Sequence, residues 1–306
     1  MRKIILGFAM LIACAAQPLS AQQAPPATTS PAAGPARGAS ASGAVDSNIT
    51  YGVAGGETLL LDVFEPANNT GKPRPAVVLV HGGGWTSFDK STMHPLARFL
   101  ALAGFVAVPV DYRLFHDDAT RWPAQLDDVQ RAVRWVRANS AKYNIDPQHI
   151  GAYGHSAGGQ IAALLGMLET RDNSDAALAK YSSKVQAVVD ASGPADLTKD
   201  ANDDATQFMT SFLGADFATH PEVWRDASPV FHAAKSNAPI LIIHGTHDDM
   251  VPISQAEELN DALTKAGATV KFLPLDSDHM FREPGPHRQL ALETQAFFDR
   301  YLVPSR

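Results

Sequence analysis

One cysteine, Cys14, stands in 306 residues. If the leader that carries it is removed, no internal disulfide can form, and the fold must rest on packing alone. Beyond the first residues the chain also lacks any apolar run near the ~18 residues that a membrane-spanning helix needs. Positive charge is scarce: 25 Lys and Arg stand against 32 Asp and Glu, a net charge of −7. No basic field exists for a phosphate backbone to meet, so nucleic acid is excluded as a partner. The modest, scattered acidic excess says nothing about substrate charge. No internal repeat of 20 to 50 residues is visible, which excludes a solenoid or propeller. Hydrophobic residues make up 45% of the sequence, enough for a substantial core.

At the N-terminus Arg2 and Lys3 precede an apolar stretch from Ile4 to Ala16 and a small-residue site at Ser20 and Ala21. This arrangement reads as an export signal over residues 1–21, with a mature N-terminus at Gln22 and a periplasmic or secreted enzyme as the expectation. A competing reading stays open. Leu11-Ile12-Ala13-Cys14 resembles a bacterial lipobox, and cleavage before Cys14 would leave an outer-membrane lipoprotein with a lipid anchor at that residue. Residues 22–47 are mostly Ala, Pro, Gly, Ser and Thr, which bury too little surface to offset the entropy of ordering, and they predict a disordered linker. Residues 48–306 are assigned to one catalytic domain.

Within that domain strand-like and helix-like segments alternate. Strands are expected at Leu59–Phe64, Val77–Val80, Phe105–Val110, Ile150–Tyr153, Val185–Ala191, Pro239–Ile243 and Thr269–Leu275. Helices are expected at Met93–Ala103, Gln125–Asn139, Ser156–Leu168, Ser254–Ala266 and Gln289–Leu302. Such alternation calls for an α/β fold with a mainly parallel sheet and helices on both faces. Asp196–Ala227 breaks the rhythm and reads either as a lid over the site or as a structural connection.

Four segments carry chemistry. Gly154-His155-Ser156-Ala157-Gly158 follows a strand and opens an apolar helix, the context of a nucleophile elbow, in which glycines two positions either side of Ser156 let the backbone turn sharply. The turn sets the Ala157 N–H at a helix start, where developing negative charge is favoured. His81-Gly82-Gly83-Gly84-Trp85 follows another strand, and its glycines free backbone N–H groups to meet an oxyanion. His81 reads as a structural support of that loop. A serine hydroxyl needs a histidine to take its proton and a carboxylate to fix that histidine. Two later strand-end loops supply such groups in the order acid, then base: His244-Gly245-Thr246-His247-Asp248-Asp249-Met250-Val251-Pro252 and Asp276-Ser277-Asp278-His279.

Together with Asp111-Tyr112-Arg113-Leu114, these segments resemble the hormone-sensitive-lipase-like esterases of the α/β-hydrolase superfamily, most closely small bacterial carboxylesterases of feruloyl-esterase-like and acetyl-esterase-like type. The likeness runs from about Tyr51 to the C-terminus. It implies an α/β-hydrolase fold, Ser156, Asp248 and His279 as a triad, and the backbones of Gly83, Gly84 and Ala157 as an oxyanion hole. It departs from the family at His155, where many relatives carry Asp, and in lacking the N-terminal cap helices of the larger members. An open cleft, short-acyl or aromatic-acid esters, small or polysaccharide-linked, and no cofactor are therefore expected.

Three aromatics, Trp85, Phe88 and Trp224, are candidates to line an acyl or aryl pocket. His244, His247, Asp248 and Asp249 lack the spacing of a hydrolytic zinc site and predict no metal. Two other functions remain. The H-G-G-x-W pattern also fits a kynurenine-formamidase-type amidase, and a binding protein on an inactive hydrolase scaffold would show a missing triad or hole member.

Overall fold

The computed structural model describes residues 43–68, 71–172, 174–199 and 203–304. The export segment, the lipobox and nearly all of the expected linker lie outside the described residues. Eight strands form one sheet in the order β1 (Val45–Ala54), β2 (Glu57–Phe64), β4 (Val106–Val110), β3 (Arg74–Val80), β5 (Ile145–His155), β6 (Ala187–Ala191), β7 (Ile240–Gly245), β8 (Val270–Leu275). β1 pairs with β2, and β2 with β4, antiparallel; every other pairing is parallel.

Alternation along the central strands explains why both faces need cover. Val78 and Val80 point into one core with Val106, Val108 and Val110, while Val77 and Leu79 point into the other with Ala107. Helices α1 (His94–Leu102) and α7 (Pro284–Leu302) close the second face through Leu100, Phe298 and Leu302. Helices α2 (Ala124–Ala138), α3 (Ala157–Leu165) and α6 (Ile253–Ala266) close the first through Val133, Ile161 and Leu259. The expected helix from Met93 ends as its sequence requires: Gly104 sits just beyond it at φ +103, and an added Cβ there would meet open space. Among the described residues no helix is long and apolar enough to cross a membrane.

Several boundaries differ from expectation, among them the starts of β1, of α7 and of β5, which begins at Ile145, five residues before the expected Ile150. β1 starts at Val45, inside the stretch assigned to the linker, because Ala44 accepts a hydrogen bond from the Glu65 N–H and Val45 and Asp46 pair with Phe64 and Val63. It is an irregular strand with two register shifts and Asn48 at φ 55, so its side chains carry no clean alternation. α7 starts at Pro284, five residues before the expected Gln289, using the prolines that the first turn of a helix tolerates.

Asp196–Ala227 folds into α4 (Asp203–Leu213) and α5 (Pro221–Asp226). Phe212 is fully buried, stacked 4.7 Å from Trp85 and edge-on to Phe115 and Trp122, and its carbonyl accepts from the Trp122 N–H at 3.0 Å. The segment is thus part of the first core.

Candidate active site

The sharpest feature of the backbone is Ser156, at φ 56 and ψ −123 between β5 and α3. A non-glycine residue in such a region costs on the order of 1–3 kcal/mol and persists only where its surroundings enforce it. Here the enforcement is steric. A Cβ on Gly154 would lie 1.9 Å from the Gly158 carbonyl oxygen, and one on Gly158 would lie 2.3 Å from that of Val80. The Ser156 N–H donates to Ala191 O at 2.8 Å, and the Ser156 carbonyl accepts from Gly159 at 2.7 Å, so both ends of the turn are pinned.

Three further loops leave the same C-terminal edge of the parallel strands, where open α/β sheets collect their ligand sites. The loop after β8 brings His279 so that Nε2 is 2.9 Å from Ser156 Oγ and Nδ1 is 2.6 Å from Asp248 Oδ2. The loop after β7 carries Asp248, whose side chain is fully buried. Its Oδ1 accepts the N–H groups of Met250 at 3.0 Å and Val251 at 2.8 Å, and His244 Nε2 lies 3.2 Å from Oδ2. Burial alone would raise this carboxyl. The hydrogen bonds from His244 and His279, the His279 charge and the Val251 N–H outweigh it and hold Asp248 well below the usual carboxylate range. Its neighbour Asp249 is exposed.

The loop after β3 lies against the turn at Ser156: a Cβ on Gly82 would stand 2.9 Å from His155 O and 3.1 Å from Ser156 Cβ. Gly83 and Gly84 have φ +105 and +58. The Gly83 carbonyl is turned away to accept from Thr86 and Ser87, each at 3.1 Å. The Ala157 N–H opens α3 and so has no partner within the helix. His81 is buried, stacked 4.2 Å from Tyr112 with Nδ1 2.7 Å from Gly82 O, which makes it a support of the loop.

The three aromatics separate. Phe88 is 59% exposed and packs beside Gly83, its Cδ2 being 2.9 Å from where a Gly83 Cβ would be. Trp224, at 2% exposure, belongs to the first core, donates from Nε1 to Ala215 O and meets the exposed Phe217 edge-on. Trp85 is 6% exposed and stacked on Phe212, with Nε1 donating to Gln160 Oε1 at 3.1 Å. Both indoles are thus buried and satisfied on their N–H groups, and of the three aromatics Phe88 is the exposed one.

Further residues complete the site, and Gln160 and Glu283 among them escape a sequence reading. Gln160 is fully buried and ties the Trp85 loop to the segment after α5 by donating from Nε2 to Ala227 O at 2.7 Å. The signal was there, since Gln160 is the one polar side chain in α3. His155 donates from Nε2 to His279 O at 2.9 Å. Burial first, and then the nearby His279 charge, push its imidazole down to about 4. Ser277 donates to the Glu283 carboxylate, and Asp278 pairs with Arg282 at 2.8 Å, which stiffens the loop bearing His279.

Comparison with known proteins gives this geometry its context. Residues 61–263, more than half of the chain, match the BD-FAE family model. The esterase LipQ of Mycobacterium tuberculosis is 32% identical over 240 residues, covering 76% of this chain and 56% of LipQ. The chain spans about half the length of the curated relatives it matches. A butyrate-bound esterase from Thermogutta terrifontis superposes with a TM-score of 0.73 at 25% identity, over 84% of this chain and 95% of that one. A truncated carbohydrate esterase from gut microbiota does so with a TM-score of 0.71 at 29% identity, over 84% and 95%. With its elbow, glycine-rich loop and eight-stranded sheet, the chain belongs to the BD-FAE family and has the α/β-hydrolase fold.

Proposed function

We propose that this protein is a serine carboxylesterase acting through an acyl-enzyme, with Ser156 as nucleophile, His279 as general base and Asp248 orienting the histidine. The reading rests on the unbroken relay from Ser156 Oγ to His279 Nε2 and from His279 Nδ1 to Asp248. Because Asp248 is ionised, the His279 proton sits on Nδ1 and the Nε2 lone pair faces the hydroxyl. Ser156 Oγ then bonds to the ester carbonyl carbon as its proton passes to Nε2. The carbonyl electron pair moves to oxygen, where the N–H groups of Gly83, Gly84 and Ala157 stabilise it. Collapse expels the alkoxide, which takes the proton from His279. Water repeats the sequence and releases the acid. The relay needs no cofactor.

For the substrate, short-acyl or aromatic-acid esters are favoured, on small molecules or on acylated polysaccharide. Phe88 stands exposed beside the proposed hole, the Thermogutta neighbour holds butyrate, and a carbohydrate esterase is among the structural neighbours. Export is proposed from the leader, with a mature N-terminus at Gln22. Mass spectrometry of the mature protein checks this, and a diacylglyceryl Cys14 would replace it with the lipoprotein reading.

Stoichiometric labelling by paraoxon tests the mechanism. One phosphoryl adduct on Ser156, lost in Ser156→Ala together with at least about 10⁴-fold of kcat, is expected. An unlabelled protein without turnover would instead support a binding function. Nitrophenyl acetate and butyrate should be cleaved with higher kcat/KM than the decanoate; a rise up to ten carbons would overturn the short-acyl reading. Formyl-kynurenine in the same panel separates the amidase.

A further inference from the structure

Asp248 is held by four donors, and two of them are histidines. His279 Nδ1 and His244 Nε2 lie 2.6 and 3.2 Å from the same oxygen, Oδ2, while two backbone N–H groups occupy Oδ1. His244 Nε2 is also 2.8 Å from Val251 O. A carbonyl can only accept, so His244 must carry a proton on Nε2 and donate it towards both oxygens. The side chains of His244 and Asp248 are both fully buried, which leaves neither free to seek another partner. His244 Nδ1 is likewise buried, with no hydrogen-bond partner among the described residues, so a proton there would have no acceptor. The ring is therefore fixed as a one-way donor.

We propose that His244 is a positioning residue for the Ser156–His279–Asp248 relay: its Nε2–H clamps the Asp248 carboxylate between the Val251 carbonyl and His279 and takes up part of its negative charge. The inference rests on the proposed triad. Its consequence is electrostatic as well as geometric. Hydrogen-bond donation to Oδ2 draws charge away from the His279 side and tempers how strongly Asp248 stabilises the imidazolium. The titratable groups facing His244 are Asp248 on its own loop, Asp190 from β6, His155 from the end of β5, and His279 beyond the shared oxygen. Of these, only Asp248 meets it directly.

Two substitutions separate positioning from mere packing. His244→Phe fills the space without a donor, whereas His244→Asn retains an N–H. In His244→Phe, kcat should fall roughly 10- to 100-fold with KM within about threefold, since the relay and not substrate binding is loosened. The acid limb of the kcat/KM profile should move upward by about half a pH unit, because an Asp248 with one donor fewer favours the protonated base. His244→Asn should restore most of kcat and return the limb. An unmoved limb with unchanged kcat in His244→Phe would overturn the proposal, as would a loss that Asn does not rescue. Should the Phe variant fail to fold, ¹⁵N-histidine NMR of the unsubstituted enzyme decides: the Nε2–H tautomer at His244 is expected, and an Nδ1–H tautomer would sink it. His279→Ala is the control for the underlying reading. Full activity there removes the triad itself, while a dead His279→Ala beside a fully active His244→Phe removes only the clamp.

Discussion

The loop from His81 to Phe88 takes its shape from glycine backbone freedom and aromatic packing, with Trp85 resting on Phe212 and His81 on Tyr112. The loops that bring Asp248 and His279 are shaped instead by buried charge: four donors on one carboxylate and a histidine fixed from behind by His155. One half of the site is therefore sensitive to volume and φ, the other to charge and proton placement. Isosteric substitutions should injure the second half and spare the first, and added methyl groups should do the reverse.

The largest effect is expected at Asp248. On the proposed assignment, Asp248→Asn keeps the shape but loses the charge that fixes the His279 tautomer and balances the imidazolium, and kcat should fall roughly 10³- to 10⁴-fold. Asp249→Asn changes an exposed side chain and should cost less than about tenfold. Steady-state kinetics on both, with circular dichroism to verify folding, decide the matter. The reverse ranking would move the acid to Asp249, and two near-neutral results would detach this loop from the chemistry.

That pair of aspartates also shows how far the sequence was legible. The motif segments and their order locate all four loops, because each needs a strand before it and glycine or a charged residue at a set offset. What could not be read is where a side chain faces once its strand is packed. Trp85, Phe88 and Trp224 look alike as letters. Only the α4 and α5 packing separates an exposed ring from two buried indoles. β1 was hidden for a related reason: two register shifts erase the alternation that marks a strand. His244 and Gln160 were visible as polar residues in apolar surroundings, but the partners of Gln160 lie on segments distant in sequence, and those of His244, four and seven residues on, depend on how its loop folds back.

A smaller loss is expected at Gly83, where the volume-sensitive half can be tested. A Cβ there would lie 2.1 Å from the Ser87 carbonyl oxygen, a collision with backbone that cannot be relieved by a rotamer change. Gly83→Ala should distort the proposed oxyanion donors and lower kcat roughly 10²- to 10³-fold with the fold retained. Gly104→Ala is the matched control. It has nearly the same φ, +103 against +105, but nothing within 4 Å of the new Cβ. Its cost should be backbone strain alone, about 1–2 kcal/mol of stability and no change in kcat. Equal kcat losses in the two variants would show that φ and not the collision shapes the loop.

The smallest effect concerns a second buried carboxylate that sharpens the contrast. Asp190, at the end of β6, is 1% exposed, and the hydrogen bond it accepts is from the Gly193 N–H at 3.0 Å. Burial pushes it up to about 6, with the Gly193 N–H offsetting only part of the shift. Asp248, with four donors, moves in the opposite direction. The unfolded chain ionises such a group near ~3.9. From there up to about 6 the folded state holds the extra proton, so stability falls as pH rises through that window. The cost is absent below it and complete above it, at about two pKa units or on the order of 3 kcal/mol. Asp190→Asn retains an acceptor for Gly193 and cannot ionise. It should therefore melt several degrees above the unsubstituted protein at pH 7.5 and within a degree or so of it at pH 4. Scanning calorimetry at both pH values measures the difference, and a gap that does not widen with pH would mean that burial at Asp190 is already compensated.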